Sequence, residues 1–91
     1  MAFYVYILEC SDKSLYTGHT DCLEARLGAH HRGTFRGYTN HRRPLHLLFV
    51  EEFPSREEAL AAERQIKDWC RAKKLALSRG DWDEIRRLAR R

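Results

Sequence analysis

A run of aromatic and β-branched residues near the N-terminus gives the strongest structural signal in this chain. It reads Phe-Tyr-Val-Tyr-Ile-Leu-Glu from Phe3 to Glu9. A near-continuous apolar run of this length is typical of a central strand that is covered on both faces. A polar turn over residues 10–14 leads into Leu15–Gly18, which again has the pattern of a strand. The two segments predict an antiparallel hairpin.

A capping pair predicts the first helix. Asp21 with Glu24 has the spacing of a capping box, so we expect a helix from Cys22 to His31. Gly33 is a good residue to end it. The segment that follows, residues 33–44, combines two glycines with basic and aromatic residues. We call it the basic loop.

The second half of the chain predicts one more strand and two more helices. Leu45 to Phe53 is apolar and strand-like. Ser55 is a cap for a long helix, about Arg56 to Ala72, and Asp81 opens a short last helix, about residues 81–90. The resulting order, ββαβαα, predicts a mixed or antiparallel α+β sandwich.

Length and composition restrict the class of protein. A chain of 91 residues has room for one core and therefore one domain. No apolar run approaches the roughly 20 residues of a membrane span, and the N-terminus lacks the pattern of a secretion signal. We therefore expect a cytoplasmic protein with no membrane contact. Cys10, Cys22 and Cys70 are odd in number and far apart, so reduced thiols are expected rather than disulfides or a zinc site.

Positive charge is concentrated in one part of the sequence. The net charge is +4, but residues 25–50 contain no carboxylate, five arginines and four histidines. Such a stretch produces a local positive potential that suits a polyanion. Together with the small size it favours a nucleic-acid partner. The alternative is the solvated surface of an ordinary basic protein.

Two pairs of residues could bring reactive groups together. Tyr6 and Tyr16 lie on the two strands of the hairpin, so their hydroxyls could converge, although tyrosines in a sheet are commonly packing residues. Arg26 and His30 are one turn apart on the first helix and share a face. Arginine offers forked donors to a phosphate, and histidine exchanges a proton near neutral pH. Plain exposure to solvent is the alternative for this pair.

Two further features have two explanations each. Glu63 falls beside the apolar stripe of the long helix, where a carboxylate needs a partner because its desolvation is costly. That partner could be Lys67, one turn later, or a hard divalent cation, which uses one or two carboxylates together with phosphate and water. In the basic loop, Tyr38 and Phe35 lie among arginines, where they could stack on unpaired bases or only pin the loop by packing.

Taken in order, these residues resemble the GIY-YIG nuclease family, and within it the small stand-alone bacterial UPF0213 or YhbQ-like group. The first motif is matched by Tyr4-Val5-Tyr6, in which Tyr4 replaces the glycine. The second is matched by Tyr16-Thr17-Gly18, in which Thr17 replaces isoleucine. Arg26, His30 and Glu63 follow in the family's order, and the match covers about residues 3–75.

The resemblance implies an α+β fold, with a three-stranded antiparallel sheet flanked by helices. It places a core of about residues 3–75 and a C-terminal helix of about residues 81–90 in one domain, 1–91. It also implies a metal-dependent endonuclease that hydrolyses DNA phosphodiester bonds with one divalent cation, Mg²⁺ or Mn²⁺. Gly18 would let the backbone turn closely at the end of its strand.

The resemblance also implies a role for each site residue. Tyr6 would act as general base or position the attacking water, with Tyr16 beside it on the phosphate. Arg26 would hold the scissile phosphate and offset its developing charge. His30 would assist proton transfer or tune a tyrosine, and Glu63 would bind the cation. The cation, Arg26 and His30 are expected to favour the tyrosinate form, because a free tyrosine has a pKa near 10.

DNA is the expected partner, and the aromatic residues of the basic loop favour unpaired or structured strands. The residues expected to contact nucleic acid are Lys13, Arg32, Arg36, Tyr38, Thr39, Arg42, Arg43 and Lys67. The alternative function is a nucleic-acid-binding module that does not cleave, or a nuclease subunit that needs a partner. A third hypothesis is an adaptor that binds another protein through its last helix. We expect a monomer, with weak homodimerisation as the alternative.

Overall fold

The computed structural model describes residues 2–34 and 37–89, and a three-stranded antiparallel sheet lies at the centre of these residues. Strand β1 (Phe3–Glu9) pairs with β2 (Leu15–Thr20) on one side and with β3 (His46–Phe53) on the other. The order β2-β1-β3 puts the apolar run of β1 in the middle. The prediction of an α+β fold around a central β1 is therefore confirmed.

Helix α1 (Leu23–Arg32) follows the hairpin and ends as its sequence predicts. Gly33 closes it in the left-handed conformation, with φ of 74°. The start differs from the prediction, because Cys22 is the N-cap residue and makes no side-chain cap hydrogen bond. Thr20 Oγ1 instead accepts a hydrogen bond from the Cys22 backbone N–H at 3.1 Å. The proposed capping role of Asp21 is therefore wrong.

Three helices follow β3 in the described residues: α2 (Arg56–Lys67), α3 (Arg71–Ser78) and α4 (Trp82–Ala89). The predicted caps are present. Ser55 Oγ accepts a hydrogen bond from a backbone N–H in the first turn of α2, and Asp81 Oδ1 does the same for α4. Within residues 2–34 and 37–89, no helix has the length and apolarity that crossing a membrane requires.

The predicted helix from Arg56 to Ala72 is wrong, because the chain breaks after Lys67 and begins α3 at Arg71. Cys70, with ψ of 164°, is extended and separates the two helices. The break lets α3 bury Ala76 and Leu77 against the sheet-side core. The sequence has no glycine or proline at this point, so no local signal marks the break, and the element order is ββαβααα rather than ββαβαα.

Alternate residues of β1 face two separate cores, because successive side chains in a strand point to opposite faces. Val5 and Ile7 pack with residues of α2, α3 and α4. Tyr6 and Leu8 face the other side, where α1 contributes partly buried leucines. The sheet therefore has α1 on one face and the three later helices on the other. The cysteines are free, as expected; Cys10 is buried and the other two are exposed.

Thr17 is expected to limit the stability of this fold. Its Oγ1 is buried and has no hydrogen-bond partner among the described residues. An unsatisfied buried hydroxyl costs about 1–3 kcal/mol, and valine has nearly the same shape. We expect Thr17→Val to raise the free energy of unfolding by about 1 kcal/mol in urea denaturation. As a control, Thr20→Val removes a hydroxyl that accepts a hydrogen bond from the Cys22 backbone N–H, so it should lower the free energy of unfolding. A loss of stability in Thr17→Val would show that its hydroxyl is satisfied.

Candidate active site

Tyr6, Tyr16 and His30 form a compact aromatic cluster on the α1 side of the sheet. The two tyrosine ring centroids are 6.3 Å apart. The His30 ring meets both of them edge-on, with centroid distances of 5.6 and 5.4 Å. Tyr6 and His30 are almost completely buried, whereas Tyr16 is half-buried. The structure thus brings the two tyrosines into contact with the first-helix histidine, whereas the sequence left packing of the tyrosines and solvent exposure of the histidine as alternatives.

Gly18 provides the room that this cluster needs. It lies directly opposite Tyr6 in the β1–β2 pairing. A Cβ atom on Gly18 would be 2.6 Å from the Tyr6 hydroxyl oxygen and 3.0 Å from Cε2 of Tyr16. The expectation of a close backbone turn at the strand end is wrong, because Gly18 lies within β2. The missing side chain matters here because the Tyr6 phenol occupies its space.

His30 is held by hydrogen bonds at both ring nitrogens. Its Nε2 lies 2.9 Å from the Tyr6 hydroxyl and its Nδ1 lies 2.8 Å from Thr39 Oγ1. Burial, the larger effect, and the positive charge of Arg26 together lower the pKa of His30 from 6.5 to about 4. His30 is therefore neutral near pH 7, with one nitrogen that donates and one that accepts.

The buried imidazole predicts a loss of stability in mild acid. Since the pKa of His30 falls from 6.5 to about 4 on folding, the unfolded chain binds a proton that the folded chain excludes between these pH values. The free energy of unfolding should be unaffected by this group above pH 6.5. It should fall by about 3 kcal/mol as the pH drops to about 4. Urea denaturation at several pH values measures the loss, and a His30 NMR titration midpoint above pH 6 would contradict it.

The tyrosines favour their neutral phenol forms. Burial raises the pKa of Tyr6 from 10 to about 12, despite the opposing effect of the Arg26 guanidinium. The pKa of Tyr16 is also raised, by burial and by the negative charge of Glu63. The expectation that Arg26 and His30 favour tyrosinate is not met by these residues. His30 carries no charge near pH 7, and the desolvation of Tyr6 outweighs the effect of Arg26.

Arg26 reaches the cluster from α1. Its Nη1 donates a hydrogen bond of 3.2 Å to the backbone carbonyl of His19 in β2. This contact holds the guanidinium close enough to Tyr6 and Tyr16 to lower the pKa of both hydroxyls. Arg26 is half-buried, so part of the guanidinium remains accessible. The structure thus places a fixed positive charge beside the half-buried tyrosine.

Glu63 lies on α2 and is buried, and its negative charge raises the pKa of both Tyr6 and Tyr16. Its Oε2 lies 3.0 Å from His19 Nδ1 and 3.7 Å from Lys67 Nζ. The predicted ion pair with Lys67 is therefore present. The contact with His19 was not predicted from the sequence, because the two residues are 44 positions apart. The only local signal was the position of His19 directly after the Tyr16-Thr17-Gly18 motif.

Glu63 also fits the second explanation, a divalent cation. The described residues offer no group of three or more metal-ligating side chains. Mg²⁺, however, is commonly held by one or two carboxylates, with phosphate and water at the other positions. The described contacts of Glu63, with His19 and Lys67, both involve Oε2. Hydrogen bonds of this kind orient a carboxylate that ligates a metal. The donor set therefore fits one hard cation that is shared with a phosphate.

The basic loop packs beside the half-buried tyrosine. The exposed Tyr38 ring stacks on Tyr16, with centroids 6.2 Å apart and planes 23° apart. The Arg42 guanidinium lies 3.9 Å from the Tyr38 ring centroid and donates a 3.0 Å hydrogen bond to Asp12 Oδ2 in the β1–β2 turn. The loop is therefore attached to the hairpin next to the site.

The other residues predicted to contact nucleic acid fall into three groups. Thr39 is fully buried against His30, so the prediction that it contacts a nucleic-acid strand is wrong. Arg36 and its neighbour Phe35 lie outside the described residues. The remaining side chains are exposed and stay predictions: Lys13, Arg32, Arg43 and Lys67.

Comparisons with known proteins identify the family of this chain. The family model described as the GIY-YIG catalytic domain matches residues 2–76. A UPF0213 protein of Staphylococcus aureus (strain Mu3) is 47% identical over 74 residues, which cover 81% of this chain and 90% of the relative.

Two solved structures share the fold. The solution NMR structure of a UPF0213 protein from Bacillus halodurans is 44% identical, with a TM-score of 0.56, and the match covers 85% of this chain and 82% of that one. The solution NMR structure of an E. faecalis protein is 34% identical, with a TM-score of 0.62, and covers 88% and 85% of the two chains. The family model and these relatives show that this chain belongs to the GIY-YIG catalytic domain family, alongside the UPF0213 proteins.

Proposed function

We propose that this chain is a metal-dependent endonuclease that hydrolyses DNA phosphodiester bonds and favours unpaired or structured strands. One observation carries the proposal: the hydroxyls of Tyr6 and Tyr16 lie within reach of two opposite charges, the Arg26 guanidinium and the buried Glu63 carboxylate. Charges of both signs beside neutral hydroxyls suit phosphoryl chemistry, in which catalysis consists mainly of positioning and charge stabilisation. The charges of Glu63 and Arg26 act on both Tyr6 and Tyr16, which supports treating the four side chains as one site.

Tyr16 is the tyrosine that faces the substrate in this proposal. Tyr6 has no exposed surface, and its hydroxyl is occupied by His30 at 2.9 Å. Tyr16 is half-buried and lies between this pair and the exposed ring of Tyr38. The Tyr16 hydroxyl would therefore contact the phosphate or the attacking water. Tyr6 would support it from behind, by fixing His30 and packing into the space at Gly18.

Arg26 and Glu63 would have separate roles, one toward the phosphate and the other toward the cation. Arg26 would donate hydrogen bonds to a non-bridging phosphate oxygen and stabilise the charge that develops there. Glu63 would hold the cation, with His19 orienting its carboxylate. When bound, a divalent cation polarises the phosphate and stabilises the leaving oxygen.

The proton of Tyr6 stays on Tyr6 in the resting site. Burial raises the pKa of Tyr6 and lowers the pKa of His30, so both shifts oppose transfer of the proton to His30. Tyr6 therefore acts as a neutral hydrogen-bond donor. Tyr16 and Glu63, rather than Tyr6, would therefore act on the attacking water.

The strand preference is supported by the stack of Arg42, Tyr38 and Tyr16 beside the site. Exposed aromatic rings next to arginines bind unpaired bases by stacking. An incoming base could extend this stack by displacing Arg42 from the outer face of Tyr38. Such a contact needs a base that is free of its duplex partner.

The experiment is cleavage of end-labelled single-stranded, duplex and branched DNA of one sequence, each with Mg²⁺, Mn²⁺ or EDTA. We expect metal-dependent cleavage that is faster for the single-stranded or branched substrate. Binding of all three substrates without cleavage under any condition would favour the non-cleaving module. Equal rates for duplex and single strand would reject the strand preference but leave the nuclease assignment in place.

A further inference from the structure

Thr39 lies in the interior of the site. Its side chain is fully buried although it belongs to the basic loop, and its Oγ1 is 2.8 Å from His30 Nδ1. The opposite nitrogen of the same ring, Nε2, is 2.9 Å from the Tyr6 hydroxyl. Thr39, His30 and Tyr6 therefore form one continuous hydrogen-bonded chain from the loop to the central strand.

The direction of these hydrogen bonds follows from the groups around Tyr6. The guanidinium of Arg26 also acts on the Tyr6 oxygen, and a guanidinium can only donate. The Tyr6 hydrogen therefore needs an acceptor, which is His30 Nε2. Since a neutral imidazole carries its one hydrogen on the other nitrogen, Nδ1–H donates to Thr39 Oγ1.

We propose that Thr39 is a positioning residue, whose hydroxyl oxygen accepts the Nδ1 hydrogen of His30 and so keeps Nε2 available to the Tyr6 hydroxyl. Without this acceptor, the ring is free to carry its hydrogen on Nε2. Nε2–H would then donate to the Tyr6 oxygen, and the Tyr6 hydrogen would lose His30 as its acceptor. The orientation of the Tyr6 phenol opposite Gly18 would no longer be fixed.

The basic loop is built to keep Thr39 in place. The Arg42 backbone N–H donates to the Thr39 carbonyl at 3.1 Å, and Arg42 Nη1 donates to the Tyr38 carbonyl at 2.6 Å. The Arg42 carbonyl in turn accepts a hydrogen bond of 2.8 Å from the Ser11 backbone N–H in the β1–β2 turn. Hydrogen bonds therefore hold Tyr38 and Arg42 on either side of Thr39, and Thr39 is the residue of the basic loop that enters the cluster.

The primary test reads the tautomer directly and needs no cleavage. Long-range ¹H–¹⁵N NMR at pH 7 distinguishes protonated from unprotonated imidazole nitrogens. We expect wild-type His30 to carry its hydrogen on Nδ1, Thr39→Ser to keep this tautomer, and Thr39→Val to shift the population toward Nε2–H. Thr34→Val, an equivalent change at an exposed position of the same loop, should leave the tautomer unchanged. A wild-type ring protonated on Nε2 would overturn the proposal, whether or not the valine variant folds.

The second test rests on the proposed nuclease function. Loss of the outer hydrogen-bond partner of a metal-ligating histidine typically reduces metal affinity or activity by 10–100-fold, and we expect an effect on the order of that for His30. We expect Thr39→Val to reduce kcat by about tenfold or more with KM for DNA unchanged, and Thr39→Ser to restore the rate. A valine variant that keeps both the Nδ1–H tautomer and the wild-type kcat would overturn the positioning role. If wild type cleaves no DNA while the tautomers behave as expected, the nuclease assignment fails and the positioning role stands.

Discussion

Replacing Glu63 with glutamine is expected to reduce metal-dependent DNA cleavage by about a thousandfold or more, with little change in fold. Glutamine keeps the size of the side chain and an oxygen that can still accept from His19. It removes the negative charge, which is the property that a hard cation needs from its protein ligand. Losing about 4 kcal/mol of charge stabilisation corresponds to a thousandfold change in rate.

Glu57→Gln provides a matched control for this prediction. It makes the same chemical change on the same helix, at an exposed position in the first turn of α2. Rates should be measured under single-turnover conditions with saturating Mg²⁺, and thermal unfolding should confirm that both variants are folded. Mn²⁺ binding followed by electron paramagnetic resonance gives a second readout, in which Glu63→Gln should bind more weakly than Glu57→Gln. Equal cleavage by the two variants would show that Glu63 is a structural ion-pair partner only.

Replacing Gly18 with alanine is expected to disable the site and to destabilise the domain by about 1–3 kcal/mol. The new Cβ atom would lie 2.6 Å from the hydroxyl oxygen and 2.8 Å from Cζ of Tyr6. Tyr6 is held by His30 and surrounded by core residues, so it can move away only by breaking that hydrogen bond. Because Tyr16 and His30 both contact the Tyr6 ring, we expect cleavage to fall by at least a hundredfold.

Gly28→Ala should have the opposite effect on stability. Gly28 lies inside α1, and the atom nearest to a new Cβ there is the flexible guanidinium of Arg32, 2.9 Å away. That side chain can swing aside, and alanine is favoured over glycine in a helix interior by about 0.5–1 kcal/mol. Urea denaturation of the two variants gives the comparison. A Gly18→Ala protein with wild-type stability and rate would mean that the tight packing at Gly18 is not required.

The sequence predicts the parts of this fold that depend on local chemistry. The apolar run of β1, the glycine that ends α1 and the serine cap of α2 each act within a few residues, and all three are confirmed. The break before α3 has no local signal. The extended Cys70 redirects the chain so that Ala76 and Leu77 of α3 pack into the core. Packing decides the break, and packing depends on residues distant in the sequence.

The same distinction holds for the candidate site. Helical spacing predicts that Arg26 and His30 share a face, and strand pairing allows the tyrosine hydroxyls to converge. The contact of His19 with Glu63 joins a strand to a helix that lies far along the chain, so no spacing rule reveals it. The burial of Thr39 depends on how the basic loop folds back onto α1. The polar and basic composition of this loop instead suggested that Thr39 contacts nucleic acid.

Burial also explains why the electrostatic expectation differs from the structure. Arginine and histidine close to a tyrosine favour tyrosinate when both are charged and the hydroxyl is solvated. Here the same packing that brings His30 to Tyr6 removes water from both groups, so the histidine is neutral and the pKa of the tyrosine rises to about 12. In the proposed reaction, the charge in this site therefore comes from Arg26, Glu63 and the divalent cation that Glu63 would hold.

The most direct test of the proposed hydrolytic site is single-turnover cleavage of labelled single-stranded DNA by the purified wild-type protein. The reaction is measured in Mg²⁺, after addition of EDTA, and again after Mg²⁺ is restored. We expect cleavage that stops in EDTA, resumes with Mg²⁺ and is slower by about a thousandfold or more in a Glu63→Gln preparation made in the same way. Cleavage that continues in EDTA, or that the Glu63→Gln preparation matches, would contradict the proposed hydrolytic site.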